Sequence, residues 1–368
     1  MGPRNPGTPH PNFRENTTVD PTQDPRTGVA LIGAGMIAPT HVAALSELRD
    51  KARLETIVSR RPERATHLAQ HYAGTQPKVS ADLSQVTDNP GILMAIVATP
   101  PKVRIELIAA LAGAGKHILL EKPVARTLAE AQEVVEICEN AGVTLGMLFQ
   151  HRAHASSKSA ARLISGGSLG QLGLVEIAAP LWRDQSYYDE LGRGTFERDG
   201  GGVLLTQAIH TIDLALSLAG PVTRVQATVA TTPLHQMEAE DYAVAGLTFA
   251  SGAVGSLIAS TATFPPGKET ITLHFENASL RHGRHSLDVF WRDGSTDSAT
   301  FGRSEPGEGG PVVAQHALHR DIIEDFVDAL RDGCAPIVTG RAALVPHRLI
   351  DAIERSSRTG AAAEIADR

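Results

Sequence analysis

Between residues 28 and 149, short apolar runs alternate with helix-patterned segments, and this alternation constrains the fold more than any other feature of the chain. Runs at 28–32, 54–58, 92–98, 117–120 and 143–149 read as strands. The one at 92–98 is nearly continuous, as a parallel strand covered on both faces requires. Residues 36–48, 62–72, 103–114 and 128–140 carry helical spacing, and Pro62 stands where a helix start favours proline. Strands separated by helices imply βαβ units. The expected fold is therefore α/β, with a doubly wound parallel sheet over residues 27–150.

After residue 150 the rhythm changes. A helix is expected over 155–165, an extended stretch over 172–181, and a glycine-led helix over 203–218. Strand-like stretches follow at 222–232, 241–249, 253–263, 269–275, 278–282 and 286–292, with a hairpin turn at Ala250-Ser251-Gly252. This pattern predicts an α+β unit over 151–368, with a large open, mostly antiparallel sheet. Residues 302–312 read as a Gly/Pro-rich loop, and 315–358 as two closing helices. Residues 1–26 lack periodicity and read as a disordered tail.

Composition narrows the function classes. A net charge of −7 gives no support for nucleic-acid binding. No apolar run is long enough to span a bilayer, and the N-terminus carries no signal-like apolar stretch. Cys138 and Cys334 are the only cysteines, so neither a disulfide framework nor a thiolate zinc cluster is expected. A cytoplasmic location is the default reading. Three His-x-x-His pairs occur, at 151/154, 282/285 and 316/319. None has further ligands at helpful spacing, so no metal is expected, and His316 or His319 could instead reach the active site.

Three stations carry chemistry. Gly33-Ala34-Gly35-Met36-Ile37-Ala38 closes the first strand–helix turn. Gly33 permits the tight turn, and Gly35 lets a pyrophosphate approach the amides that open the helix. The second strand ends at Ser59-Arg60-Arg61, where an NAD-selective site would carry Asp or Glu. Arginine can pair with a ribose 2′-phosphate, so NADP(H) is favoured and NAD(H) is possible; the alternative is a pair of solvated surface charges. Thr99-Pro100 follows the 92–98 run, at the sheet's carboxyl edge, and serves either the cofactor or only a rigid turn.

The second station, Glu121-Lys122-Pro123, ends the 117–120 strand. A lysine there can hydrogen-bond a reacting oxygen, although by position alone it is more often an exposed charge. The third is Gly200-Gly201-Gly202 leading to Thr206, His210 and Asp213, which share one face of an ordinary helix. An imidazole suits removal of a hydroxyl proton as hydride leaves the same carbon; His210 taken alone would more often be structural. Trp182, Arg183, Tyr187 and Tyr188 suit sugar rings and anionic groups, or else form an ordinary loop with packed aromatics; Arg152 is a less direct substrate candidate.

These three stations, in this order, resemble the Gfo/Idh/MocA family of oxidoreductases over residues 28–360. The resemblance implies a Rossmann domain, a C-terminal sheet domain that often forms an oligomer interface, and sugars, nucleotide sugars or polyols as substrates. A homo-oligomer, dimer or tetramer, built through that sheet is expected. The resemblance also implies that Lys122 bridges substrate and nicotinamide, that His210 is the general acid/base, and that the Lys122–Pro123 peptide is cis. Two positions depart from the family pattern. Thr206 replaces a common Asp and cannot ionise, and Arg104 replaces a common His. The competing functions are a catalytically silent cofactor-binding sensor and an NAD-dependent glycosidase.

Overall fold

The computed structural model describes residues 24–301 and 316–366. Six strands form the first sheet: β1 (Thr27–Ile32), β2 (Ala52–Val58), β3 (Lys78–Ser80), β4 (Met94–Val97), β5 (His117–Leu120) and β6 (Leu145–Met147). Their order is β3-β2-β1-β4-β5-β6 and every pairing is parallel. Chain order therefore reverses between β1 and β4, and a crevice opens at the strands' carboxyl ends there. Every residue of β1 is buried. Val29 and Leu31 enter one core with Met94 and Ile96, while Ala30 and Ile32 enter the other with Ala95 and Val97. Burial on both faces explains why these strands read as continuous apolar runs.

Nine strands form the second sheet, in the order β14-β13-β12-β11-β7-β10-β9-β8-β15. They are β7 (Leu172–Pro180), β8 (Val222–Ala230), β9 (Tyr242–Phe249), β10 (Val254–Ser260), β11 (Thr270–Phe275), β12 (Ala278–Gly283), β13 (Ser286–Trp291), β14 (Thr296–Thr300) and β15 (Ala363–Glu364). Only β7 and β10 pair in parallel, so the sheet is mostly antiparallel. Strand β9 alternates strictly, with Ala243, Ala245, Leu247 and Phe249 buried and Val244 exposed. One face thus meets helices, and the other presents Val244, Ile258, Val254 and Leu174 to solvent.

Two expectations need correction. The glycine-led helix is not a plain α-helix: residues Leu204–Ala208 form a π-turn before the α-helix Ile209–Ala219. The two closing helices do not both belong to the second unit. Helix His316–Asp332 sends Ile322, Ile323, Phe326 and Val327 into the core that holds Val29 and Leu31. The chain then returns to β6, where the amide of Met147 donates to Val338 O at 3.0 Å, and helix Gly340–Thr359 packs on β8. The disordered reading of 1–26 and the loop at 302–312 fall mostly outside the described residues. Inside them, Arg26 holds Asp24 through its Nε at 2.9 Å, and Thr27 already pairs in β1.

The helix bearing His210 starts against a distant acid. Glu240 accepts from the amides of Gly202 at 2.9 Å and Leu204 at 3.0 Å, and its own carbonyl takes the Val203 amide at 2.8 Å. A Cβ on Gly202 would lie 1.7 Å from that carbonyl oxygen. Gly202→Ala should therefore lower unfolding free energy by about 3 kcal/mol, read from urea denaturation. A loss under about 1 kcal/mol would show that the contact relaxes freely.

Candidate active site

The glycine turn sits at the reversal point. Gly33 has φ +111°, and a side chain there would strike Ala98 O at 2.8 Å. Its amide donates to Val58 O at 2.8 Å, which closes the turn against β2. A Cβ on Gly35 would meet nothing within 4 Å. A cavity of about 310 Å³ borders this turn, lined by Ala34, Gly35, Pro39, Glu63, Arg64, His67 and Leu68. Met36 is exposed beside it. Ile37 precedes the helix Ala38–Glu47, whose first amide, Ala38 N, donates to Gly35 O at 3.1 Å. The buried Oγ1 of Thr99 has no hydrogen-bond partner among the described residues, and Pro100 follows it at the crevice edge. An open glycine cradle and an orphan hydroxyl at the crevice edge fit a dinucleotide, with the cavity beside the turn able to take part of it.

Ser59 is buried, and its Oγ accepts from the amide of Arg61 at 3.0 Å. Arg60 and Arg61 are exposed and form no ion pair among the described residues. The helix that follows, Pro62–Gln70, adds Arg64 to the cavity wall. Sequence reasoning passed over Arg64, although it lies three residues beyond the pair that it singled out.

Lys122 stands at the crevice with its peptide to Pro123 cis, as the resemblance implies. Its Nζ donates to the Thr206 carbonyl at 2.6 Å, which joins the two units at the site. Burial lowers its ammonium pKa below the ordinary lysine value, Glu121 opposes that shift, and Arg104 and Arg183 add to it. Glu121 is buried and shares one carboxylate oxygen between His41 Nε2 at 2.9 Å and His319 Nε2 at 3.5 Å. Burial alone would raise its pKa; hydrogen bonds from His319 and His41 outweigh that and hold it well below the usual range. His319 of the last His-x-x-His pair thus does reach this site, while His316 pairs with Glu47 at 2.6 Å.

His210 is buried, and its Nδ1 has no hydrogen-bond partner among the described residues. Burial, with the nearby charge of Lys122, drives its pKa well below that of free imidazole, so the ring is neutral and able to take a proton. His151 lies against it, ring centres 4.9 Å apart. Thr206 turns its hydroxyl back to Gly202 O at 2.6 Å and offers the site its carbonyl instead. Asp213 is fully buried, and both its oxygens take Arg152, at 2.7 Å each. Arg152 and Asp213 therefore occupy one another, an outcome that spacing along the helix could not reveal.

The aromatic segment divides in the same way. The Tyr188 hydroxyl is buried against Thr261 Oγ1 at 2.6 Å, and burial pushes its pKa up to about 12, so it supports the fold. Tyr187 is the accessible ring. Arg183 lies 5.3 Å and Arg193 4.1 Å from its centre, and Gln207 Nε2 donates to its hydroxyl at 3.3 Å. Trp182 packs edge-on against Phe264, a largely exposed ring that sequence reasoning missed.

Burial is the chief cause that lowers the pKa of several imidazoles below the ordinary 6.5: His41, His151 and His210, His154 to about 3, and His282 and His347 to about 4. Their folded pKa lies below the unfolded one, so the unfolded chain takes protons first. Their contribution is complete above about pH 6.5 and is lost as pH falls toward 4. The Glu354 carboxyl, raised to about 7 by burial, acts in the opposite sense. The informative quantity is therefore a difference: His154→Asn should lose less melting temperature than wild type between about pH 7 and pH 5. Parallel profiles for the two proteins would contradict the assignment of His154 as a buried neutral ring.

Comparison with known proteins accords with this geometry. Residues 27–149 match the family described as "Oxidoreductase family, NAD-binding Rossmann fold", and residues 157–281 match the "GFO/IDH/MocA C-terminal domain". The scyllo-inositol 2-dehydrogenase (NADP(+)) IolW of Bacillus subtilis is 23% identical, the match covering 90% of this chain and 93% of that protein. The D-apiose dehydrogenase of Paraburkholderia graminis is 27% identical, over 91% of this chain and 89% of its own. The WlbA dehydrogenase from Bordetella pertussis, solved with NADH and UDP-GlcNAcA, superimposes with a TM-score of 0.78 at 29% identity, covering 93% of this chain and 100% of that one. With both of its units matched in sequence order, this chain belongs to the Gfo/Idh/MocA family of oxidoreductases.

Proposed function

We propose that this protein is an NADP(H)-preferring dehydrogenase or reductase of a sugar, nucleotide sugar or polyol. One observation carries the reading: a desolvated Lys122 ammonium, held by Thr206 O at 2.6 Å, lies beside a neutral buried His210 at the mouth of a dinucleotide crevice. The dehydrogenases among its relatives support the reaction class.

Gly33, Gly35, Met36 and Ile37 would receive the pyrophosphate, with Thr99, Pro100 and Glu121 bordering the ribose and nicotinamide. When bound, the nicotinamide accepts or returns hydride. Lys122 donates a hydrogen bond to the reacting oxygen and stabilises the charge that grows on it. His210 takes the hydroxyl proton in oxidation and returns it in reduction; its lowered pKa keeps it ready as a base through neutral pH. Tyr187, Trp182 and Arg183 would hold the sugar ring and its polar groups. Arg152, Tyr188 and Asp213 would act behind that layer, through the fold.

The cofactor preference rests on Ser59-Arg60-Arg61 with Arg64, a basic group at the end of β2 where an acid would repel a 2′-phosphate. Glu63 is the one carboxylate in the cavity wall. The outer face of the second sheet, with Val244 directly opposite Ile258, suits pairing with a second copy and supports a homo-oligomer.

The test is titration of NADPH and NADH by fluorescence, followed by a panel of sugars, polyols and nucleotide sugars read at the reduced-nicotinamide band. NADPH should bind more tightly than NADH, and at least one hydroxyl compound should be oxidised or its keto form reduced. Replacing both Arg60 and Arg61 with Gln should weaken NADPH by roughly 1.5–3 kcal/mol per lost charged hydrogen bond and leave NADH nearly unchanged. Equal affinity for the two cofactors would remove the NADP preference. Binding without net redox would favour the sensor or the glycosidase.

A further inference from the structure

Arg104 opens the helix Arg104–Gly113, is 2% exposed and is the bulkiest fully buried side chain of the described residues. It makes no ion pair among them within 4.0 Å, and every hydrogen bond it donates goes to a main-chain carbonyl. Nε and Nη2 reach Thr99 O at 3.0 and 2.7 Å. Nη1 reaches Glu121 O at 2.6 Å, Val124 O at 3.3 Å, and Pro123 O. The planar fork thus ties together the loops that leave β4 and β5, adjacent strands in register at Val97 and Leu120. One loop carries Thr99 and the other carries Lys122.

The lysine loop has other restraints. Val124 N donates to His347 Nε2 at 3.2 Å, and Lys122 N donates to Glu121 Oε2 at 3.2 Å. These restraints act from within the loop or from helix Gly340–Thr359, which supplies His347, while Lys122 Nζ reaches across to Thr206 O and the Glu121 carboxylate is held by His41 and His319. The amide of Glu121 donates to Val97 O at 3.0 Å at the base of the two loops, and among the described residues Arg104 is the only side chain whose hydrogen bonds join the loop to the Thr99 loop. A buried cation in this place satisfies several carbonyls that an apolar residue would leave orphaned. Burial pulls its pKa down to about 10, so it stays charged at neutral pH.

We infer that Arg104 is a positioning residue: it locks the Thr99 loop and the Lys122 loop into one rigid unit, so that cofactor edge and lysine hold a fixed mutual geometry. This rests on Lys122 acting at the reacting oxygen. The guanidinium also acts on that lysine through space. Glu121, Arg104, Arg183 and Asp199 are the charges that bear on the ammonium; Arg104 and Arg183 favour its neutral form, and Glu121 and Asp199 its charged form. The neutral imidazole of His210 stands on the facing helix.

Two variants separate the fork from the charge. Arg104→Lys keeps a cation but cannot span both loops; Arg104→Gln loses both. The pH dependence of Lys122 acylation by acetic anhydride, read by peptide mass spectrometry on the full chain, needs no turnover. NADPH affinity and turnover are measured alongside. Both folded variants should lose turnover on the order of 100-fold, as a misplaced catalytic group does, while NADPH affinity changes less than about threefold. The apparent pKa of Lys122 should rise in Arg104→Gln and stay close to wild type in Arg104→Lys. If Arg104→Gln does not fold, Arg104→Lys alone decides on turnover. Turnover within about threefold of wild type in either folded variant, or an unmoved Lys122 pKa in folded Arg104→Gln, overturns the inference. Wild type inactive on every substrate would refute the dehydrogenase reading; the loop-locking role then stands if Lys122 is acylated faster in folded Arg104→Lys than in wild type at an unshifted pKa, and falls if the rate is unchanged.

Discussion

The hydrogen bond from Lys122 Nζ to the Thr206 carbonyl, 2.6 Å long, is the interaction on which the site depends. It joins the end of a strand in the parallel sheet to the helix that underlies the antiparallel one. An ammonium removed from water must find acceptors, and here the backbone of the π-turn supplies one. That contact links the two units at the site and keeps the lysine at the crevice, where its charge adds to the burial that holds His210 neutral. Much of the surrounding architecture can be read as support for it. Glu240 anchors the start of the His210 helix, and His41 and His319 hold Glu121 ionised behind the lysine.

The crevice runs against the charge of the whole molecule. The chain carries a net charge of −7, yet its crevice is lined by Lys122 and Arg183, and its cavity by Arg64 next to exposed Arg60 and Arg61. A local basic field in an acidic protein attracts anionic ligands without making the surface generally adhesive to polyanions. The buried histidines contribute differently. Neutral at physiological pH, they line the site with polarisable groups and add no charge that would compete with the lysine.

Much of this was legible in the sequence, because the relevant signals are local. The buried strands read as apolar runs, the glycine turn needs two small residues at fixed spacing, and helix 128–140 is bounded where its capping Thr127 and its pattern place it. What escaped was long-range or unsupported by periodicity. Strand β14 is exposed at every position and has no apolar alternation to betray it. Strand β15 is two residues long and exists because β8 offers it an edge. The π-turn leaves no compositional mark. Arg152 and Asp213 lie 61 residues apart, so their mutual pairing could not be seen; read singly, each looked available to substrate. Arg104 stood out only as a departure from the family's usual residue, whereas the fold makes it the link between two loops.

The central claim is that Lys122 and His210 act on one hydroxyl. The most direct measurement is the turnover of Lys122→Met and of His210→Asn at saturating cofactor, with the substrate that wild type uses best. The account predicts a fall on the order of 100-fold or more in each, as removal of a general acid–base group produces, with folding and NADPH affinity nearly unchanged. Turnover within a few-fold of wild type in either variant would contradict it.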